Sequence, residues 1–143
     1  MSVLCEIVTP RKVVFSDNVD MVILPGIDGT MAILPNHAPV LSMLKDDVLT
    51  IKMGDRILHY TVFKGLAEIQ PDQITILADD SENVTEINVT EAKDLLDEKR
   101  RQLVQGQTDR ANMDFASHQE DIQALRAEIA NIELQLSTAK KYQ

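Results

Sequence analysis

Apolar and polar residues alternate along the first eighty residues, and this pattern predicts short β-strands. Val3, Cys5 and Ile7 alternate with residues of an opposite face, as expected of a strand with two different environments. Gly54-Asp55 and Pro71-Asp72 separate consecutive apolar runs and predict tight reversals. The remaining runs are residues 19–24, 48–51, 57–63, 66–69 and 74–77. Short strands with turn residues between them favour a β-sandwich or barrel.

The last sixty residues have helical periodicity instead. Asn88 is predicted to cap a first helix, with Glu91 three residues later in a capping box, and Gly106 is predicted to end it. This helix carries an apolar stripe at Ala92, Leu95, Leu96 and Leu103. A second helix, starting between residues 108 and 114, carries a heptad seam at Phe115, Ile122, Leu125, Ile129, Ile132 and Leu136. Together they predict an antiparallel hairpin held by one narrow seam, which can exchange partners.

Composition separates these two parts. All five prolines and four of the five glycines precede residue 84, and the acidic stretch at residues 79–83 has the character of a linker. We therefore predict an α+β fold with an N-terminal antiparallel β-sandwich, residues 1–84, followed by a C-terminal two-helix antiparallel hairpin, residues 85–143.

Charge and composition exclude several functions. The formal net charge of −9 and the aromatic content of 3% argue against a nucleic-acid-binding protein, and the charge disfavours unaided binding to anionic lipid. Cys5 is the single cysteine, so neither an internal disulfide nor a cysteine metal cluster is expected. No apolar run approaches a membrane span, and the first residues do not form a signal peptide. These features predict a soluble chain of cytosolic type.

No group of residues has the spacing of a catalytic or metal site. His59 and His118 lack neighbouring ligands and are predicted to be structural. His37 lies in a proline-bounded loop without a readable nucleophile, so a contact role is expected. The turn at residues 24–29 lacks the Gly-Lys-Ser/Thr of a phosphate-binding loop. The acidic pairs 46–47 and 79–80 are predicted to be solvated turns.

One basic cluster stands out, Lys99-Arg100-Arg101. Such a run is typical of a solvated helix face, and the alternative is an electrostatic contact with an acidic partner surface.

The longest motif is Leu24-Pro25-Gly26-x-x-Gly29-x-x-Ala32-Ile33-Leu34-Pro35-Asn36-His37-Ala38-Pro39-Val40-Leu41. A second motif runs from Gly65 to Asp79. With these motifs and the strand-then-hairpin layout, the chain resembles the epsilon subunit of the F-type ATP synthase, called delta in mitochondria. Family members often have Gly at the position of Ala32, a minor departure.

The resemblance implies a non-catalytic rotor subunit without a cofactor, peripheral on the cytoplasmic face of the energy-coupling membrane. Its sandwich would sit at the foot of the central stalk against the gamma subunit and the c-ring, with Thr30, Asn36 and His37 facing them. Its helices would fold down on the sandwich or extend into the alpha/beta catalytic hexamer and inhibit ATP hydrolysis. Lys99, Arg100 and Arg101 would then meet an acidic segment of the beta subunit.

Some bacterial relatives bind ATP through an Ile-Asp-x-x-Arg-Ala motif. Its positions here are Ile87, Asn88, Glu91 and Ala92, and an acid in place of the arginine should repel phosphate. The resemblance therefore predicts weak or no ATP binding. The alternatives are a nucleotide-sensing module and a free-standing coiled-coil adaptor, neither with a rotor role.

Overall fold

A computed structural model describes residues 1–108 and 115–143 of the chain. Eight strands come first and two long helices follow, joined by a short 3-10 turn at Val84–Glu86. The strands are β1 Val3–Val8, β2 Val13–Val19, β3 Met21–Gly26, β4 Gly29–Ile33, β5 Val40–Met43, β6 Asp47–Met53, β7 Arg56–Ile69 and β8 Gln73–Asp80. The helices are α1 Val89–Thr108 and α2 Phe115–Tyr142.

Strand β7 connects the two layers of a sandwich. Its first half pairs with β6, which continues to β3 and β4, and its second half pairs with β8 and β5. Lys64, between the halves, has a left-handed φ of 52°, which bends the strand where Gly65 follows. Inward side chains of both layers fill one core; its largest fully buried members include Ile7, Leu24, Leu49, Ile69 and Ile76.

The predicted sandwich is confirmed, with one pairing and several boundaries that differ. Strands β1 and β8 pair in parallel, whereas the other pairs are antiparallel. The two runs predicted at residues 57–63 and 66–69 belong to the single strand β7. Gly54 has φ 58° in the predicted reversal between β6 and β7. The turn predicted at residues 24–29 is shorter, because Gly26 still pairs with Gly29 and only residues 27 and 28 lie between the strands.

Helix α1 begins as predicted and ends later. Asn88 Oδ1 accepts a hydrogen bond of 3.1 Å from the Glu91 backbone N–H, so this side chain caps the helix. Gly106, however, lies inside α1, which continues to Thr108, so the predicted end is wrong. A glycine inside a helix costs only about 1 kcal/mol relative to alanine. The predicted start of α2 falls largely in residues 109–114, outside the described part of the chain.

Among the described residues, the hairpin seam forms as predicted except at Leu95 and Ile122, which are not part of its apolar cluster. Its buried members are Ala92, Leu96, Ile129 and Ile132, with Leu103, Leu125 and Leu136 packed against them. Leu95 was predicted to belong to this stripe, but it is 46% exposed, because it faces the side of α1 next to the seam. The side chains of Phe115 and His118 lie outside the described part of the chain.

The seam is separate from the sandwich core. A third and smaller cluster joins the two parts; its buried residues are Val84, Ile87 and Ala139, with Val48, Val89 and Tyr142 against them. The hairpin therefore buries most of its apolar residues within itself and rests on the sandwich through a small apolar contact.

Candidate functional site

The loop that follows β4 has a fixed local structure. Asn36 adopts a left-handed φ of 66°, a conformation that asparagine tolerates better than most residues. Its backbone N–H donates to the Pro71 carbonyl at 2.9 Å, which ties the loop to the β7–β8 turn. The His37 Nδ1 atom lies 2.7 Å from the Ala38 carbonyl oxygen and donates to it. Leu34, at the start of the loop, is 56% exposed, so the loop presents apolar surface beside these polar groups.

Thr30 does not lie in this loop. It is exposed near the start of β4, paired with Pro25, whereas Asn36 and His37 follow the far end of that strand. The three residue steps from Thr30 to Ile33 span about 10 Å of extended chain. The predicted contact residues therefore lie at the two ends of β4 and are not in one cluster.

An apolar row crosses the outer face of the sheet formed by β5, β7, β8, β1 and β2. Met43 pairs with Leu66, Leu66 with Leu77, Leu77 with Val8, and Val8 with Val13. Met43 is 63% exposed and Leu77 is 45% exposed. An outward row of aliphatic side chains across five strands is unusual on a solvated sheet face, and such surfaces mark binding sites. Which outward residues join into this row depends on the order of the strands, and sequence alternation alone does not give that order.

The basic cluster of α1 is paired within the hairpin. Lys99 Nζ lies 2.7 Å from Glu128 Oε2, and Arg100 Nη2 lies 2.9 Å from Glu133 Oε1. Arg101 pairs with Glu98 of its own helix. In this conformation Arg100 and Arg101 are exposed, as predicted for a solvated helix face, but each cation of the cluster already has an acidic partner within the hairpin.

Hydrogen bonds from α2 hold the hairpin against the sandwich. Asn131 Nδ2 donates to Asp80 Oδ2 at 2.7 Å, and Gln135 Nε2 donates to the same oxygen at 3.2 Å. Gln143 Nε2 donates to the carbonyls of Val84 and Ile87 at 2.8 and 2.9 Å. The predicted solvated turn at residues 79 and 80 is therefore wrong, because both residues belong to β8. Asp79 is exposed there, whereas Asp80 is half-buried at this contact.

His59 belongs to the same contact. Its ring lies 4.2 Å from the ring of Tyr142, with 31° between the planes, and its Nδ1 lies 3.0 Å from Thr50 Oγ1. Burial lowers the pKa of His59, because the surroundings disfavour the charged ring. The histidine is structural, as predicted, and its particular place is under the last turn of α2.

The four positions of the degenerate ATP motif have ordinary structural roles. Ile87 is buried in the small cluster between the two parts, and Ala92 is buried in the hairpin seam. Asn88 caps α1. Glu91 is exposed in the first turn of α1. No side chain of this set presents a positive charge to a phosphate.

A cleft of about 540 Å³ lies between the sandwich and the hairpin. Its carboxylates come from Asp79, Asp80, Glu82 and Glu128, and its cations from Arg11, Lys64 and Lys99. Burial and the neighbouring Asp80 carboxylate raise the pKa of Glu82, as expected where negative charges crowd. The cleft is therefore a poor site for an anionic ligand.

Over residues 1–108 and 115–143, no group of three or more histidine, cysteine or acidic side chains is arranged to hold a metal ion. Neither α1 nor α2, over the same residues, has an apolar stretch long enough to cross a bilayer.

Comparison with known proteins identifies the family. Residues 2–84 match the model of the family described as "ATP synthase, Delta/Epsilon chain, beta-sandwich domain". The ATP synthase epsilon chain of Magnetococcus marinus is 36% identical over 132 residues, which are 87% of this chain and 94% of that protein. The chain belongs to the ATP synthase delta/epsilon family. This confirms the resemblance found in the sequence and makes the chain a non-catalytic subunit.

Other relatives and structures agree. The ATP synthase epsilon chain of Syntrophobacter fumaroxidans is 42% identical over 100 residues, covering 70% of this chain and 75% of that protein. In a structure of the Euglena gracilis mitochondrial ATP synthase (OSCP/F1/c-ring), one chain aligns with a TM-score of 0.64 at 16% identity, covering 99% of this chain and 82% of that one. A chain of the Tetrahymena thermophila central stalk and c-ring aligns with a TM-score of 0.54 at 12% identity, covering 97% of each. At these identities the structures support the fold.

Proposed function

We propose that this chain is the rotor subunit at the foot of the central stalk of an F-type ATP synthase. The sandwich binds the gamma subunit and the c-ring, and so helps to couple ion flow through the ring to ATP synthesis. The helical hairpin moves between the docked position seen here and an extended position in the alpha/beta catalytic hexamer, where it inhibits ATP hydrolysis. The protein works at the cytoplasmic face of the energy-coupling membrane, held there by its partners, with no cofactor.

The separation of the apolar clusters supports a hairpin that moves. The hairpin seam is distinct from the sandwich core, and only the small cluster around Val84, Ile87 and Ala139 joins them. The described hydrogen bonds between the two parts come from side-chain amides, and water or another protein can replace them. The rings of His59 and Tyr142 add one aromatic contact. Detachment of the hairpin therefore leaves the sandwich core intact.

The apolar row supports a protein partner for the sandwich. Met43, Leu77 and Val13 are exposed on the outer face of their sheet, away from the face of β6 and β7 on which α2 rests. The loop of Asn36 and His37 lies at the end of the same sheet, next to the β7–β8 turn. We propose that the apolar row binds the gamma subunit. The loop of Asn36 and His37, together with Thr30, faces gamma and the c-ring.

A lock between hairpin and sandwich tests both parts of this proposal. The double variant Asp80→Cys/Asn131→Cys replaces two side chains that contact each other in the native chain, where Asn131 Nδ2 lies 2.7 Å from Asp80 Oδ2. Oxidised and reduced forms are titrated into a catalytic core that contains gamma but lacks this subunit. Binding and ATP hydrolysis are both measured, with Asp80→Cys alone as the control.

We expect both forms to bind and only the reduced form to inhibit. Equal inhibition by the locked form would show that extension of the hairpin is not the inhibitory step. Absence of binding by the wild-type chain would overturn the rotor assignment itself. Mass spectrometry of the intact protein establishes that the lock has closed.

A further inference from the structure

Two adjacent cations of α1 are neutralised from the opposite helix. Lys99 pairs with Glu128 at 2.7 Å, and Arg100 pairs with Glu133 at 2.9 Å. The Lys99 side chain is only 24% exposed, and it lines the cleft between the hairpin and the sandwich. Arg101, the third member of the cluster, instead pairs with Glu98 on α1 itself.

These two kinds of ion pair respond differently to opening of the hairpin. The pairs made by Lys99 and Arg100 exist only while α2 lies against α1, because their carboxylates belong to α2. The pair between Arg101 and Glu98 survives separation, because both residues move together. Opening the hairpin therefore changes the charge that α1 presents by two positive units without any change in the chain's net charge.

We propose that α1 and α2 separate when the hairpin extends, and that Glu128 and Glu133 are an internal substitute for the acidic surface that Lys99 and Arg100 then bind. This inference rests on the proposed function and adds a regulatory step to it. In the docked hairpin the two carboxylates occupy the donors that an acidic partner needs, so the partner must displace them. Basic residues on α1 are thus withheld until the helices separate.

The strength of this competition follows from the exposure of the pairs. Glu128, Arg100 and Glu133 are each about half exposed, so solvent and salt screen both interactions. Each pair should weaken binding of an external carboxylate surface by up to about fivefold. The two together should weaken it by roughly tenfold at low salt, and by less at 0.5 M salt.

Poly-L-glutamate serves as the acidic probe for the full-length chain. Its affinity is measured by fluorescence anisotropy at several salt concentrations for wild type and for Glu128→Gln/Glu133→Gln. The matched control is Asp97→Asn/Glu120→Gln, which removes the same charge from exposed positions for which the described part of the chain shows no ion pair. A third variant combines Glu128→Gln/Glu133→Gln with Lys99→Gln/Arg100→Gln. Circular dichroism establishes that the wild type and the three variants are folded.

We expect Glu128→Gln/Glu133→Gln to bind poly-L-glutamate roughly tenfold more tightly than the matched control at low salt. The addition of Lys99→Gln/Arg100→Gln should abolish this gain in affinity. Equal affinities for the variant and its control would overturn the inference, since bulk charge would then explain the effect. So would a gain that persists without Lys99 and Arg100.

Inhibition of ATP hydrolysis by the wild-type chain separates this inference from the proposed function. A wild-type chain that does not inhibit contradicts the proposed function, whatever the probe shows. If the wild-type chain inhibits and Glu128→Gln/Glu133→Gln inhibits with the same potency, the proposed function stands. Only the inference that the two glutamates act as an internal substitute is then contradicted.

Discussion

Asp80 and Asn131 link the sandwich to the hairpin through a hydrogen bond of 2.7 Å between Asn131 Nδ2 and Asp80 Oδ2. Asp80 is the last residue of β8, and Asn131 lies 51 residues later in α2. Gln135, one helical turn further along α2, donates to the same oxygen. Two donors on one helix face, directed at a single carboxylate, fix the rotation of α2 as well as its position.

Replacing Asp80 with alanine should release the hairpin from the sandwich while both parts stay folded. Hydrogen bonds to a charged group contribute about 2 kcal/mol, so the docked fraction should fall substantially. Amide hydrogen exchange should rise in the last turns of α2 and in the 3-10 turn at Val84–Glu86, and should stay unchanged in β1 and β8. Asp79→Ala, at the exposed neighbouring position, is the control. Equal exchange in the two variants would show that Asp80 does not hold the hairpin.

The strand pattern predicted the sandwich well where one face of a strand is buried. Val3, Cys5 and Ile7 alternate in the sequence, and all three are buried in the core. Strands β2, β4 and β5 escaped the same analysis because most of their residues are not buried. Lys64-Gly65 divided β7 into two predicted strands, since a local bend and a chain reversal have the same sequence signals.

The polar contacts between the hairpin and the sandwich could not be predicted from the sequence. Asp80 stands in an acidic stretch that is typical of a solvated linker, and its role depends on amides more than fifty residues away. Asn131 and Gln135 occupy polar positions next to the heptad seam, where the periodicity predicts only solvent exposure. Local pattern identifies which faces are apolar, whereas polar contacts between distant segments depend on how the two parts meet.

The contact between His59 and Tyr142 predicts a loss of stability in mild acid. Burial lowers the pKa of His59 below its ordinary value of 6.5, so as pH falls the His59 ring is protonated in the unfolded chain before it is protonated in the folded chain. The contribution of the uncharged His59 ring to the free energy of unfolding is therefore fully present above pH 6.5. It is lost as pH falls through the folded-state pKa. Urea unfolding at pH 7.5, 6.5 and 5.5 should show a steeper decline for wild type than for His59→Gln. Parallel declines would mean that groups other than His59 account for the pH dependence.

Gly65 should tolerate no side chain at the bend of β7. A Cβ atom there would lie 2.2 Å from Val62 Cγ1, inside the core, so Gly65→Ala should lower the free energy of unfolding by about 2–3 kcal/mol. Gly54→Ala is the control, since open space surrounds it and its positive φ alone should cost about 1 kcal/mol. Adding Val62→Ala to Gly65→Ala should relieve the clash, so the double variant should lose less stability than the sum of the single ones. Strict additivity in chemical denaturation would contradict this explanation.

Cys5 should be unreactive in the folded protein. It is fully buried in the sandwich core, and burial raises the pKa of its thiol to about 12, so almost no thiolate exists at pH 8. A thiol reagent such as dithionitrobenzoate should label it within seconds in 6 M urea and on the timescale of unfolding in buffer. Rapid labelling in buffer would indicate that β1 opens locally.

ATP should not bind this chain with micromolar affinity. Asn88 is engaged as the cap of α1, Glu91 places a carboxylate in the adjacent turn, and four more carboxylates line the cleft between sandwich and hairpin. A triphosphate entering this region meets several negative charges, and the cations there number only three. Isothermal titration of the full chain with ATP, with and without Mg²⁺, should give only heats of dilution. A saturable micromolar isotherm that disappears in Lys99→Gln would show that the cleft binds nucleotide without the arginine of the motif.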